Sequence, residues 1–419
     1  MPVVDPLALV RGVHFAATLL AAGTVSFIVL VAAPCLRPGQ DAALLRRLRL
    51  MVWAALAGTV LTGLVWLVLV AANILDIHPA EAWLGFAPVI TGTRFGEIAS
   101  LRLAVAIVLG LLMALPRWRV LQLAAAVALA GLLAFTGHAG ATPGATGWFH
   151  LASDLLHLLA ATAWLGGLPA FVLLLAATDT NFGPAGGAFV RRATARFSVL
   201  GIASVGVLMA SGLINSGELL GGPADLLATA YGRVLALKIA LFATMVAIAA
   251  VNRFRLTPRL PAPAAIGALR RNGLIETALG LGVLLLVGVL GTMIPGGHMH
   301  TNSATPPSEA AFVHIHTEAV MADVTIDPGQ SVATIRLWRE DSSAYHARGV
   351  ILVLEPRDGG LPAIERKTVS QPDGTWQADA IDIPRRGVWN LRLTITPDTG
   401  SPVILDAPIV ITQCSNECW

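Results

Sequence analysis

His150, Asp154 and His157 stand four and three residues apart in GWFHLASDLLHLLAATAWLGGL, a spacing that places all three on one face of a helix. Imidazole and carboxylate together suit divalent transition metals, and neutral imidazole is the commonest metal ligand. His138 lies a short loop earlier, and Arg11 and His14 form a further pair three residues apart near the N-terminus. A second group follows later in the chain: His298, Met299 and His300 in GGHMHTN, then His314, His316 and Met321 in FVHIHTEAVMADV. If the latter segment is extended, His314 and His316 share a face, and thioether with imidazole favours copper, Cu(I) above all, over calcium or magnesium.

The elements that must carry these residues are mostly apolar. The 419 residues are 55% hydrophobic and 13% charged, too greasy for one soluble domain. Stretches of about twenty apolar residues suffice to cross a hydrocarbon core of about 30 Å. Eight are present, over 8–33, 47–72, 98–116, 119–136, 150–176, 197–216, 232–251 and 273–294. The first is read as a retained helix, since Asp5 stands where a basic leader would be expected. Segments 34–49, 117–119, 177–196 and 252–271 hold fourteen Lys or Arg, whereas 73–97, 137–149 and 217–231 hold one, Arg94. Cytoplasmic loops retain basic residues, so both termini are expected outside the cytoplasm. None of the ten histidines falls in a basic loop. An intramembrane ionisable residue is a functional candidate by default, so His14, His138, His150, Asp154 and His157 are expected to converge in the outer half of the bundle. Arg102, Lys238 and Glu276 also lie within or near spans. Lys238 and Glu276 fall toward opposite ends and are not expected to pair.

The charge balance then reverses. Residues 1–295 carry 19 Lys or Arg against 10 Asp or Glu, and residues 296–419 carry 9 against 15. The expected organisation is an all-α membrane bundle over 1–295, a linker over 296–311, an outer antiparallel β-sandwich over 312–413 and a tail over 414–419. Alternation of period two, as in Trp389, Leu391, Leu393 and Ile395, supports the sandwich, and DPGQ, PRDGG, QPDGTW and TPDTG supply turns. Cys35 is expected to be packed. Cys414 and Cys418 form either a local disulfide or a C-x-x-x-C copper or redox pair. Nucleotide chemistry and a nucleophilic triad have no support, since phosphate-binding Gly loops and G-x-S-x-G are missing. No enzyme activity and no nucleic-acid partner are expected.

LVRGVHFAATLLAAG, the GHAG and HLASDLLHLLAATAWLGGL segments, RFSVLGIASVGVLMASGLINS, YGRVLALKIALFATMVAIAAVNR and LRRNGLIETALGLGVLLLVGVLGT resemble the copper resistance protein D family across most of residues 8–294. HIHTEAVMADVTIDPG is similar to an outer β-domain appended to some members. The resemblance implies a multi-pass bacterial inner-membrane protein, with its C-terminal domain in the periplasm and copper as cargo. It also implies a small periplasmic copper carrier of the CopC type as partner, alongside membrane lipid. His14, His138, His150 and His157 are assigned as ligands from that match together with topology. Two alternatives stay open: a redox protein holding haem b between His14, His138 or His157, and an accessory that senses or stores copper without moving it.

Overall fold

The computed structural model describes residues 5–36, 42–75, 78–79, 89–91, 93–115, 117–136, 144–181, 186–220, 222, 224–293, 310–316, 320–339, 345–356, 361–398 and 401–411. The chain divides into two compact units, 1–301 and 302–419. The first holds ten helices among the described residues: α1 Pro6–Phe27, α2 Ala42–Leu75, α3 Arg94–Met113, α4 Arg119–Gly131, α5 Gly144–Trp164, α6 Leu168–Asn181, α7 Gly186–Leu219, the single turn α8 Asp225–Ala228, α9 Ala230–Val251 and α10 Pro263–Leu290. They make eight spans long and apolar enough to cross a membrane, with α5 and α6 together forming the fifth. The protein is a multi-pass membrane protein.

Local chemistry sets the helix ends. Asp5 accepts from the Leu7 N–H at 2.9 Å with Pro6 opening α1, and Thr93 and Thr229 cap α3 and α9 through the N–H groups of Gly96 and Gly232. Gln122 of α4 donates to the carbonyls of Leu112, in the last turn of α3, and of Leu115, just beyond it. Several helices run past their apolar stretches: α2 begins at Ala42, α7 at Gly186 and α10 at Pro263. Arginines at this basic end permit the extension. As α1 unwinds through a π-turn, Ile28–Ala32, and a 3-10 turn, Ala33–Cys35, Arg196 donates to the Leu30 carbonyl and Arg192 to that of Cys35.

Helix α1 is the packing centre. Gly166, in the break between α5 and α6, has its Cα against the α1 backbone: a Cβ there would lie 2.1 Å from the Leu19 carbonyl oxygen, and one on Gly23 would lie 2.3 Å from Gly166 itself. Gly288 of α10 meets the Ala8 carbonyl in the same manner. Small residues allow such approach where lipid supplies no hydrophobic drive between helices. Phe27, Phe171 and Phe197 fill the core toward the basic end, the last two stacked at 4.7 Å.

In the second unit, nine strands among the described residues form two antiparallel sheets. They are β1 Ala311–His316, β2 Met321–Asp327, β3 Val332–Trp338, β4 Ala347–Pro356, β5 Ile364–Lys367, β6 Val369–Ser370, β7 Thr375–Ala378, β8 Gly387–Pro397 and β9 Val403–Ile411. Their orders are β1-β2-β3-β7-β6 and β5-β4-β8-β9. Alternating residues such as Ala322, Val324, Ile326, Leu391, Leu393 and Ile395 build the core around Trp389. The turn Gln371–Thr375 places Gly374 at φ +80°, a region glycine enters without strain. There Asp373 accepts from the Thr375 hydroxyl and N–H, and those bonds hold its carboxyl below the usual carboxylate range.

Candidate functional site: buried histidines in the bundle

Span five brings its chemistry to α7. Ser153 donates to the Asn215 side-chain oxygen at 2.8 Å, and the Asn215 amide donates to Asp154 at 3.0 Å. His157 Nδ1 meets the Ser211 hydroxyl at 2.9 Å, and that hydroxyl lies 2.6 Å from the Val207 carbonyl. A hydroxyl has one proton, and the carbonyl can only accept. Ser211 therefore donates to Val207, the proton in the histidine contact belongs to Nδ1, and Nε2 presents a lone pair. His150 is buried one turn before Asp154. The Asp154 carboxylate lies in the electrostatic field of His150, of Lys238 on α9 and of Arg11 on α1. Arg11 is anchored by donation to the Gly291 carbonyl at 2.7 Å and lies over the rings of Phe15 and Trp66.

His14 occupies a second setting built the same way. Its Nδ1 meets the Thr62 hydroxyl of α2 at 2.8 Å, and Thr62 donates to the Gly58 carbonyl at 2.6 Å. The ring proton is again on Nδ1. Nε2 faces the guanidinium of Arg102 on α3, which can only donate. Trp66 packs against the His14 ring at 5.3 Å and lies beneath Arg102. Gly63 leaves room for the imidazole, since a Cβ there would be 3.1 Å from Cε1. The cleft, about 170 Å³, is lined by His14, Thr59, Trp66, Phe95, Ser100 and Arg102 among others.

The sequence-selected residues thus fall into separate settings. His150, Asp154 and His157 stand together on α5. His14 opens toward α2 and α3, while His157 opens toward α7. Among the described residues no three His, Cys, Asp or Glu side chains are grouped to hold one metal ion. A shared ligand set would need His14 to exchange Arg102 for a metal. His138, His298, Met299, His300, Cys414 and Cys418 lie outside the described residues. In the sandwich, strand register sets His316 across from Met321 and His314 across from Asp323. Met321 and Asp323 alternate with the core residues Ala322 and Val324. Cys35 is buried at the basic end.

Thr62, Trp66, Ser153, Ser211 and Asn215 were not selected from sequence. The usable signal was the recurrence of hydroxyl or amide side chains one turn apart, as in Ser211 and Asn215.

A bundle of eight membrane-spanning helices with histidine, carboxylate and cationic side chains buried among them defines a polytopic membrane protein with an intramembrane polar site. Residues 2–148 match the family model described as copper resistance protein D-like, N-terminal domain, and residues 191–290 match that of copper resistance protein D. The chain belongs to the copper resistance protein D family. His14 and Arg102 fall inside the first match, Lys238 and Glu276 inside the second, and His150, Asp154 and His157 between them. Similar proteins include copper transport protein CutJ of Bacillus subtilis (strain 168), 27% identical over 277 residues, 62% of this chain and 46% of that protein. Copper resistance protein D of Pseudomonas syringae pv. tomato is 29% identical over 234 residues, 52% and 75% of the two chains. Inner membrane protein YebZ of Escherichia coli (strain K12) is 32% identical over 170 residues, 39% and 56%. The chain thus spans less than half the length of the Bacillus relative it matches. No solved structure matches it.

Proposed function

We propose that the protein binds copper among the buried histidines and passes it across a bacterial inner membrane. The observation that carries this reading is the repeated ligand preparation at His14 and His157. Each ring has its Nδ1–H tied to a hydroxyl already committed to a carbonyl, which fixes ring and tautomer; the Nε2 lone pair of His157 is thereby left for a metal, and at His14 a metal would take the place of Arg102 on Nε2. Asp154 beside His150 and His157 supplies a negative charge to offset that of the cation. The names of the relatives, copper transport and copper resistance proteins, favour copper as cargo. The basic end is the cytoplasmic one by the positive-inside rule, so the histidines and the sandwich face the periplasm. There His298, Met299, His300, His314, His316 and Met321 offer a first capture set for metal delivered by a carrier of the CopC type.

The test is metal content and visible spectrum of purified full-length protein, with copper accumulation in cells, for wild type, His14→Ala, His157→Ala and the double variant. Loss of bound copper and of accumulation in the double variant is expected. Unchanged values in both would remove the site. Retained binding without movement in reconstituted vesicles would leave a storing or sensing protein. An intense Soret band in the wild type would replace copper by haem.

A further inference from the structure

The basic half of the bundle holds a second polar site with different chemistry. A cavity of about 220 Å³ lies between the α5–α6 break, α7, the end of α9 and α10. Its walls are mostly apolar, among them Trp164, Phe171, Phe197 and Val246. Glu276, only 2% exposed, lines it. The Asn252 amide donates to one Glu276 oxygen at 2.6 Å, and Asn252 in turn accepts from Asn272 at 2.7 Å, so the chain of amides has a fixed direction. No other hydrogen bond to the Glu276 carboxylate is formed among the described residues. Thr194, 3% exposed, lines the same cavity and has a buried hydroxyl oxygen with no hydrogen-bond partner among the described residues. Ser198 adds a further hydroxyl.

A buried carboxylate without a cation and a buried hydroxyl without a partner each carry a desolvation penalty. One positive charge bound between them would relieve both. Every lining side chain with a lone pair to offer a cation is an oxygen donor, namely the Glu276 carboxylate, the Thr194, Ser198 and Thr257 hydroxyls and the Asn252 amide oxygen, while Arg253 and Trp164 carry only N–H groups; none of the lining residues is His, Cys or Met. Such a set selects hard cations over Cu(I), and a single carboxylate matches a single charge better than the several carboxylates that calcium draws on. Arg253 of the π-turn after α9 is the other ionisable residue lining the cavity. Elsewhere on α7, Arg192 and Arg196 are committed to α1 carbonyls, and the segments of α5, α6 and α10 that line it contribute no charge besides Glu276.

We propose that this cavity is a binding site for one monovalent hard cation, a sodium ion or a proton, held by Glu276 with Asn252 and the Thr194 hydroxyl. It is separate from the histidine site and does not depend on copper being the cargo. The test is thermal unfolding of copper-free full-length protein in detergent, with sodium chloride titrated against choline chloride at constant ionic strength and repeated from pH 5 to pH 9. A sodium site raises Tm in saturating fashion, by roughly 5 °C at saturation. A proton site shows no sodium effect, but Tm falls as pH rises, because the folded state then holds a proton that the unfolded state has released. Either response is lost in Glu276→Gln and weakened in Thr194→Val. If Glu276→Gln does not fold, Thr194→Val decides, since it keeps the carboxylate. A Tm independent of sodium, with a pH profile that neither variant alters, overturns the proposal. Failure of copper binding leaves this measurement unaffected.

Discussion

His157 Nδ1 and the Ser211 hydroxyl lie 2.9 Å apart, with the Ser211 proton committed to the Val207 carbonyl. The imidazole is therefore a donor on that side, and its Nε2 is left as base or ligand. Removing the hydroxyl in Ser211→Ala keeps the backbone and most of the volume but frees the ring and its tautomer. Outer partners of metal-bound histidines are typically worth 10–100-fold in affinity, so Ser211→Ala is expected to weaken copper binding by at least about tenfold with little loss of folded protein. Competition titration with a copper chelator measures it. Thr62→Val is the matching change at His14, and equal affinity in both variants and the wild type would remove the argument.

Arg102 holds the His14 Nε2 that a metal would need, so the guanidinium and the ion compete for one lone pair. A resident positive charge also repels a cation bound nearby; even at an effective dielectric of about 20, two charges 4 Å apart interact by about 4 kcal/mol. Arg102→Gln shortens the side chain and removes the charge. Copper affinity is expected to rise by about tenfold or more in this variant, and that gain is expected to be lost in Arg102→Gln combined with His14→Ala. An affinity that falls instead would make Arg102 a supporting group for the site.

Much of this arrangement was legible in the chain. The eight spans follow from runs of apolar residues, and the sandwich from alternation and turns, because burial in lipid or between sheets demands those periods. The helix ends were less legible: hydropathy stops where the arginines begin, but backbone hydrogen bonding does not, so α7 starts at Gly186 rather than near 197. The break at Leu165–Gly167 is not legible in the sequence, since two glycines in an apolar run signal close packing without saying that the helix is interrupted. The shared face of His150, Asp154 and His157 follows from helical spacing. Which neighbour that face meets does not, because a residue pattern fixes a direction on its own helix and leaves the crossing partner open. For the same reason Arg102 stood out as an intramembrane charge while its place on His14 did not.

The glycine contacts separate packing from helix propensity. Gly166→Ala would put a Cβ 2.1 Å from the Leu19 carbonyl oxygen, a backbone atom that cannot swing aside. Gly206 of α7 has nothing within 4 Å of its missing Cβ, so Gly206→Ala is expected to keep or raise stability, since alanine is favoured over glycine in a helix by about 1 kcal/mol. Gly166→Ala should lower Tm sharply or abolish accumulation of folded protein. Size-exclusion profile and thermal unfolding of the two variants side by side decide it, and similar behaviour would show that α1 does not depend on contact at the break.

Gly63 tests the His14 setting without touching a polar atom. A Cβ there lies 3.1 Å from Cε1 and 3.6 Å from Nδ1 of the ring, whereas one on Gly58, a turn away on the same helix, comes no closer than 3.5 Å to the Ala17 Cβ. Gly58→Ala is thus ordinary van der Waals contact, and Gly63→Ala must displace the imidazole by a few tenths of an ångström. The ring is held by Thr62 on one side and Arg102 on the other, so a displacement strains both bonds at once. Copper binding is expected to fall in Gly63→Ala and to stay at the wild-type level in Gly58→Ala, with both proteins unfolding near the wild-type temperature. Adding Thr62→Val to Gly63→Ala should cost less than the sum of the separate effects, because both act on the position of one ring. Full additivity in that cycle would mean that the two residues reach the metal by independent routes.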